Sequence, residues 1–407
     1  MKNIGWIRNV HIDELLFLTA AQHLPIASIP TMCNLVINHS HSYMKNCLLL
    51  LLLCCRLSYA SAAEQPLRLG VVGLTHTHVH WILGRENKTD VTIVGIVEPN
   101  RTLAERYAKQ HGFSMKLVYN TMEEMIEACK PEAVAAFGTI YEHLKVVQIA
   151  APKGIHVMVE KPLAVSLDHA QQMAALAKKH RIHLLTNYET SWYGSNHKAY
   201  ELLHNNRVGS LRKLVVHDGH RGPKKIGINS EFLDWLTDPT QNGGGALMDF
   251  GCYGANLATW LLKGKRPTSV TAVTQQLQPE NNPLVDDEAT IILTYPDAQV
   301  VIQASWNWPI GRKDMELYGL TGVLYADNRN TLRVREAKGY DDYTEEVLKV
   351  PDMKMPYHDP FAFFAAVIQS KIEPTLYDLS SLENNMLVME ILEAARKSAA
   401  TKRTVEL

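Results

Sequence analysis

The sequence predicts an α/β protein in two domains: a doubly wound unit on a parallel sheet, then an α+β unit on one large, mostly antiparallel sheet. Three observations carry that expectation. From residue 67 to about residue 188, short β-branched runs alternate with helical segments, the pattern of parallel strands joined by crossover helices. After about residue 189, longer strand-like runs follow one another through tight turns, the pattern of antiparallel pairing. The chain has 407 residues, 46% hydrophobic and 20% charged, enough apolar surface for two cores at about 100–200 residues per domain.

Basic and acidic side chains number 41 and 42, a formal charge of −1, which excludes a basic nucleic-acid binder and an acidic tail protein. The hydrophobic content excludes a disordered chain. Six scattered cysteines make no disulfide framework. From Met44 the sequence runs through Lys45, an apolar stretch at Leu48–Leu53 and a small-residue site at Ala60-Ser61-Ala62, the order of a secretory signal peptide. The stretch from Cys47 to Cys55 is far short of the ~20 residues that span a bilayer, so no stable membrane span is expected once the signal is removed. Residues 1–62 are therefore read as leader and signal peptide, with translation starting at Met44 and the protein exported, in the periplasm. A lipid anchor on Cys54 or Cys55 is the lesser reading, because leucines rather than a small residue precede them. Only Cys129 and Cys252 follow residue 62, which suits an oxidising compartment without requiring a disulfide.

In the first domain, residues 63–188, the expected strands begin at Leu67 (LRLGVVG), Val91 (VTIVGIVE), Ala133 (AVAAFGT), Ile155 (IHVMVE) and His183 (HLLTNYE). Between them RTLAERYAKQH ends at Gly112, a residue suited to a helix C-terminus, and Ser166 is placed to cap LDHAQQMAALAKKH, whose apolar positions recur every three to four residues. In the second domain, residues 189–407, the strand candidates are LRKLVVHD, SVTAVTQQ, KDMELYG, GVLYA and TLRVRE. Around Tyr295–Ala298 two more runs form a hairpin, and helices are expected near PFAFFAAVIQS and LENNMLVMEILEAARKSAA.

The first expected strand leads through Gly73, Leu74, Thr75 and His76 towards a helix, and a strand, a glycine turn and a helix N-terminus in succession form a cradle for a pyrophosphate. Against a G-x-G-x-x-G pattern opening at Gly73, Thr75 and His78 stand at the second and third glycine positions. Glu98, closing the next strand, is placed to accept hydrogen bonds from an adenosine ribose and to repel a 2′-phosphate, which favours NAD; Arg101 softens that preference and leaves NADP as an alternative. The plainer reading of Glu98 is a residue that opens a turn before Pro99. His76, His78 and His80 alternate as metal ligands can, but no further ligand has an obvious spacing, and a helix starting here would turn them to different faces. No metal is expected, and one or two of these histidines are expected to line a cleft.

Glu160-Lys161-Pro162 places a cation at the carboxyl end of a strand, where ligands of such sheets bind. Gly243-Gly244-Gly245 leads to Asp249 and Tyr253, four residues apart and on one face if the segment is helical. With these two motifs, and His143 ahead of the Lys161 strand, residues 66–407 resemble the Gfo/Idh/MocA superfamily, named for glucose-fructose oxidoreductase, inositol dehydrogenase and rhizopine catabolism. Tyr253 stands where many members have histidine, like the glucose-fructose oxidoreductase and dihydrodiol dehydrogenase branch.

The resemblance implies a Rossmann domain whose cofactor side includes Gly73, Leu74, Thr75, His76, Glu98, Arg101, Thr139, His143, Glu160 and Lys161. It implies that Lys161 contacts substrate and nicotinamide ribose, that Tyr253 is the acid–base group and that Asp249 orients the substrate. Removing hydride from a carbinol carbon requires a base for the hydroxyl proton, and a phenol of ordinary pKa ~10 serves near neutrality only beside a cation such as Lys161. Tyr188, Trp192, Tyr193 and His220 are candidates for a sugar-sized pocket, with packing the alternative for those most buried; Glu189 stands near where relatives place basic residues. Trp306 and Trp308, two apart on a presumed strand, are expected to share a face in the core or a subunit interface.

The expected function is oxidation of a sugar or cyclitol hydroxyl with NAD, the cofactor tightly held and recycled internally because an exported enzyme lacks a cytosolic supply. The runner-up is a redox-neutral glycoside hydrolase, in which oxidation, elimination, water addition and reduction follow in turn and Glu189 or a histidine supplies the extra base. A metal-dependent hydrolase and a non-catalytic NAD sensor complete the alternatives. The expected partners are a small carbohydrate and, for the open sheet face of the second domain, further copies of the chain.

Overall fold

Six short strands build the first sheet of the computed structural model: β1 (Leu67–Val72), β2 (Val91–Val97), β3 (Val118–Tyr119), β4 (Ala133–Ala136), β5 (His156–Glu160) and β6 (Leu184–Asn187). They run in the order β3-β2-β1-β4-β5-β6 with every pair parallel, a doubly wound sheet whose order reverses between β1 and β4. β4, β5 and β6 are buried on both faces except for His156, as their unbroken apolar runs predict. The structure describes residues 65–87 and 89–407, and Gln65–Leu407 pack as one unit. The expected signal peptide, the start at Met44 and the cysteines at 54 and 55 lie outside the described residues.

The helix ends follow the chemistry expected of them. Asn100 accepts the Leu103 N–H at the start of Arg101–His111, and Gly112 closes that helix in the left-handed conformation at φ +72°. Ser166 caps Leu167–His180 by accepting the His169 N–H. The helix after β1 departs from expectation. It begins only at Val79 and spans five residues, so the phosphate-side turn runs as irregular backbone through His78.

The second sheet has nine strands: β7 (Leu211–Gly219), β8 (Ser269–Gln275), β9 (Glu288–Thr294), β10 (Gln299–Ser305), β11 (Arg312–Gly319), β12 (Gly322–Asn328), β13 (Thr331–Ala337), β14 (Tyr343–Lys349) and β15 (Val405–Glu406). β7 and β10 pair in parallel and all other neighbours are antiparallel, in the order β14-β13-β12-β11-β7-β10-β9-β8-β15. The fully buried helix Gly251–Leu261 and the long helix Leu382–Thr401 cover one face. Trp306 and Trp308 lie beyond the end of β10, not on it; Trp306 is fully buried, while Trp308 is half-buried with its ring 6.4 Å from that of His217. The helix Pro360–Ile368 returns to the first sheet, where Phe361, Phe363 and Phe364 join the cluster of Leu67, Phe137 and Trp192. Arg85 fastens its start by donating to Asp359 at 2.8 Å and to Asp90. Among the described residues no helix is long and apolar enough to cross a membrane.

The glycine run has a steric cause. Gly245 lies against the start of β9, and a Cβ there would stand 1.7 Å from the Asp286 carbonyl oxygen. That approach lets the Asp286 carboxylate accept the Gly245 N–H at 3.1 Å and the Leu247 N–H at 2.7 Å, which fixes the segment leading to Asp249. Gly245→Ala forces the backbones apart and is expected to cost about 3 kcal/mol, read as a lower urea midpoint at unchanged slope.

Candidate active site

The site is assembled where the carboxyl ends of the parallel strands face the second sheet. Lys161 directly follows β5 and is 6% exposed. Its ammonium forms an ion pair with the Asp249 carboxylate and also donates to the Asp249 carbonyl oxygen at 3.2 Å. Asp249 ends the short helix Ala246–Asp249, and its other carboxylate oxygen accepts the Trp306 indole N–H at 3.0 Å. Burial alone would lower the pKa of Lys161 and raise that of Asp249; the pairing outweighs it in both, so Lys161 rises and Asp249 falls.

Phe250 breaks the helix between Asp249 and Tyr253, yet both reach the same centre. The Tyr253 ring, in the first turn of Gly251–Leu261, lies 5.4 Å from the Lys161 ammonium and 4.9 Å from that of Lys313 on β11, with the Tyr188 ring edge-on at 5.4 Å. Among the described residues no side chain hydrogen-bonds the Tyr253 hydroxyl. Burial pushes its pKa well up, and Glu189, Cys252 and Asp249 add to the rise. This qualifies the expectation that Lys161 stabilises a phenolate, because Asp249 already holds that ammonium.

Sequence reading missed Lys313 and Asp218. Lys313 stands cross-strand from Asp218 and pairs with Glu189, whose second oxygen accepts the Tyr193 hydroxyl at 2.6 Å. Burial would raise the Glu189 pKa, but Lys313 and Tyr193 hold it down at about 2, which makes Glu189 a weak base rather than the extra base considered for elimination. Asp218 is fully buried with no hydrogen bond to either carboxylate oxygen, and burial drives its pKa well up. Neither residue had a local signal, since both sit in ordinary strand runs and meet only through sheet pairing.

The histidine run divides. His80 faces away and meets His111 at 2.8 Å, as expected of side chains on different faces. His76 and His78 instead converge with Glu160, their ligating atoms within 4.8 Å of one another, and supply the third ligand that sequence spacing did not show. The hydrogen bonds there are already assigned, however. His76 Nδ1 accepts the His78 N–H at 3.1 Å, which puts the ring proton on Nε2, and burial holds His76 neutral. Glu160 meets His78 Nδ1 at 2.9 Å and accepts the Asn187 amide at 2.8 Å. Burial would raise the Glu160 pKa, but these partners hold it at about 2. Trp192 in turn donates to Asn187 at 3.0 Å, so the cluster is a buttress behind Lys161.

The crevice at the strand-order reversal is open, with a volume of about 230 Å³ and walls that include Gly73, Pro99, Thr139, Glu142 and His143. Gly73 has φ +81°, and a Cβ there would come within 2.6 Å of the Gly138 nitrogen, so only glycine fits. Thr139 caps the turn before His143 in a reciprocal pair with Glu142. His143 is buried, donates Nδ1–H to the Leu163 carbonyl at 3.1 Å and leaves Nε2 unpartnered, its pKa pushed by burial to about 4. This cradle fits a dinucleotide.

The remaining cofactor candidates are engaged with protein. The Glu98 carboxylate turns inward and accepts the Leu74 N–H at 3.0 Å and the Asn100 N–H at 2.9 Å. Leu74 is buried, Thr75 accepts the Trp235 indole N–H at 3.1 Å, and Arg101 points to the Val118 carbonyl at 3.4 Å. Of the substrate candidates, Tyr188 is a buried packing group, while Trp192, largely buried, borders a cavity of about 360 Å³ with Trp81, Glu189 and Arg329. His220 borders a second cavity of about 590 Å³, shared with Tyr193, Lys313 and Arg329, and accepts the Gly222 N–H at 2.9 Å.

Comparison with known proteins finds two family models that match the chain. Residues 67–188 match the model of the oxidoreductase family with an NAD-binding Rossmann fold, and residues 196–325 match the GFO/IDH/MocA C-terminal domain. The chain is 26% identical over 240 residues to a trans-1,2-dihydrobenzene-1,2-diol dehydrogenase of Xenopus tropicalis, covering 58% of this chain and 67% of that protein. It is 30% identical over 182 residues to the Danio rerio protein of that name, covering 44% and 51%. The matched segments thus span about half to two thirds of these relatives. Among solved structures, the aldose-aldose oxidoreductase of Caulobacter crescentus complexed with glycerol superposes with TM-score 0.70 at 21% identity, over 84% of this chain and all of that one. The inositol dehydrogenase homologue of Azotobacter vinelandii complexed with NAD+ gives 0.72 at 17% identity, over 85% and 98%.

The buried ion pair can be tested without substrate. Asp249→Asn strands the Lys161 ammonium and is expected to cost about 3–5 kcal/mol, while the double variant with Lys161→Met costs less than the two single changes together. Asp249 is lowered, so its share of stability is complete above the ordinary 3.8 and is lost as pH falls through the folded value. Lys161 is raised, so its share is complete below the ordinary 10.5 and is lost as pH rises through the folded value. Urea titrations of wild type and Asp249→Asn should therefore differ by a constant amount at neutral pH and converge in acid.

Proposed function

Because the chain belongs to the Gfo/Idh/MocA oxidoreductase family, we propose that it oxidises a secondary hydroxyl of a sugar or cyclitol with NAD at the Lys161–Tyr253 centre. The observation that carries this reading is the approach of an ammonium that follows β5 to 5.4 Å from the ring of a phenol presented by the second sheet's helix, in a chain whose first sheet keeps an open crevice at its strand-order reversal. The relatives named above, a dihydrodiol dehydrogenase and an aldose oxidoreductase, support a hydroxyl-bearing carbon as the reacting group.

Bound there, the dinucleotide supplies the hydride acceptor. Gly73, Thr139 and His143 would hold it, Lys161 orients the substrate hydroxyl and keeps positive charge beside it, Tyr253 in its ionised form receives the hydroxyl proton, and Asp249 fixes Lys161. The buried surroundings exclude water and strengthen each of these charges. The signal-like segment before residue 63 supports an exported enzyme that retains its cofactor and returns the hydride to a second, carbonyl-bearing substrate. Exposed apolar groups on the second sheet, such as Val273 and Val347, support assembly with further copies.

Mass spectrometry of the denatured, freshly purified protein should show NAD carried along. With a panel of aldoses and cyclitols, Tyr253→Phe should lower turnover by about 10²–10⁴-fold while the dinucleotide remains bound. Full turnover in Tyr253→Phe overturns the reading. Hydrolysis of an aryl glycoside without net change in nicotinamide absorbance assigns the redox-neutral reaction instead.

A further inference from the structure

The Tyr253 hydroxyl has two ammonium groups beside its ring, and they differ in what else holds them. Lys161 is committed. It binds both the carboxylate and the carbonyl of Asp249, and Trp306 fixes that carboxylate from the far side. Lys313 is nearer the ring, at 4.9 Å, and among the described residues its one ion-pair partner is Glu189. The side chains of Lys313 and Glu189 are 24% and 30% exposed; Lys313 lines the second cavity and Glu189 a neighbouring one with Trp192, and Arg329 borders both.

Every other charged or titratable group around the ring is accounted for. On β5 and just beyond it, Glu160 is tied to His78 and Asn187, and Lys161 to Asp249. From β7, burial drives the pKa of Asp218 well up and that of His220, beyond it, down. On the ring's own helix, burial raises the Cys252 thiol, and after β6 it raises Tyr188. The balance of charge that Tyr253 can feel changing is therefore that between Glu189 and Lys313.

We propose that Lys313, with Glu189 as its positioning counter-ion, is the cation that sets the proton affinity of the Tyr253 hydroxyl. This rests on Tyr253 as the acid–base group of the proposed oxidation. A substrate hydroxyl entering between Glu189 and Lys313 draws the carboxylate away from the ammonium and leaves more positive charge on the phenol. Tyr253 then becomes a stronger acid when substrate is present.

The test is a pH titration by 19F NMR of the full chain carrying 3-fluorotyrosine, with the Tyr253 resonance assigned by its loss in Tyr253→Phe. Glu189→Gln is expected to lower the phenol midpoint by about one to two pH units and Lys313→Met to raise it by a similar amount, while Lys313→Arg stays near wild type. Midpoints that coincide in wild type, Glu189→Gln and Lys313→Met overturn the proposal. So does a shift seen in Lys161→Met but in neither of those two, which assigns the role to Lys161. Should Lys313→Met fail to fold, Lys313→Gln takes its place, and an upward shift there decides, since loosened packing would instead lower the midpoint of a phenol raised by burial. Turnover retained by Tyr253→Phe removes the acid–base reading and leaves the titration result standing as electrostatics only.

Discussion

The buried ion pair between Lys161 and Asp249 is the constraint on which the site depends. Two charges about 7% exposed gain from pairing only when further hydrogen bonds satisfy the atoms left over. Here the Asp249 carbonyl and the Trp306 indole supply them. The pair also joins the two sheets, because Lys161 follows a strand of the first and Asp249 belongs to the segment that Asp286, at the start of β9, fastens to the second. A shift of either sheet would leave a charge unpaired in the core.

The Tyr253 ring has a second ionic pair of different character beside it. Lys161 and Asp249 are sealed, whereas Lys313 and Glu189 are partly open and rest on the Tyr193 hydroxyl. The phenol lies between them. A phenol in so dry a place is poorly acidic, and the surrounding carboxylates make it worse. Proton transfer there requires positive charge to arrive or to be released, and the open pair is the one that a ligand can reach.

Much of this was legible in the sequence because the signals were local. Alternating strands and helices, the caps at Ser166 and Gly112 and the hairpin at Tyr295–Ala298 all depend on residues a few positions apart. The centre itself was legible through Lys161, Asp249 and Tyr253. What escaped was non-local. β14 is not among the expected strands, yet it pairs with β13 through cross-strand contacts such as Arg335 with Glu345. Lys313 and Asp218 are unremarkable in their own strands and acquire meaning only from register. Tyr188 had the composition of a sugar pocket but is packed inside, since aromatic residues serve both ends and only burial tells them apart.

Glu98 has structural work beside the ribose contact expected of it. Both its oxygens accept backbone N–H groups, one from Leu74 in the turn after β1 and one from Asn100 at the next helix start. An acidic group at the end of β2 is thus first a clamp that holds the glycine turn to the neighbouring strand. The helix after β1 is only five residues long and contributes little dipole to an anion. The turn must then be shaped by other means: the clamp at Glu98, the His76 N–H on the Phe137 carbonyl and the close approach of Gly73 to Gly138. A carboxylate already bonded twice can still accept from a ribose hydroxyl, because each oxygen has a second lone pair. It would do so from a position fixed in advance, so the turn and the nucleotide would share one anchor.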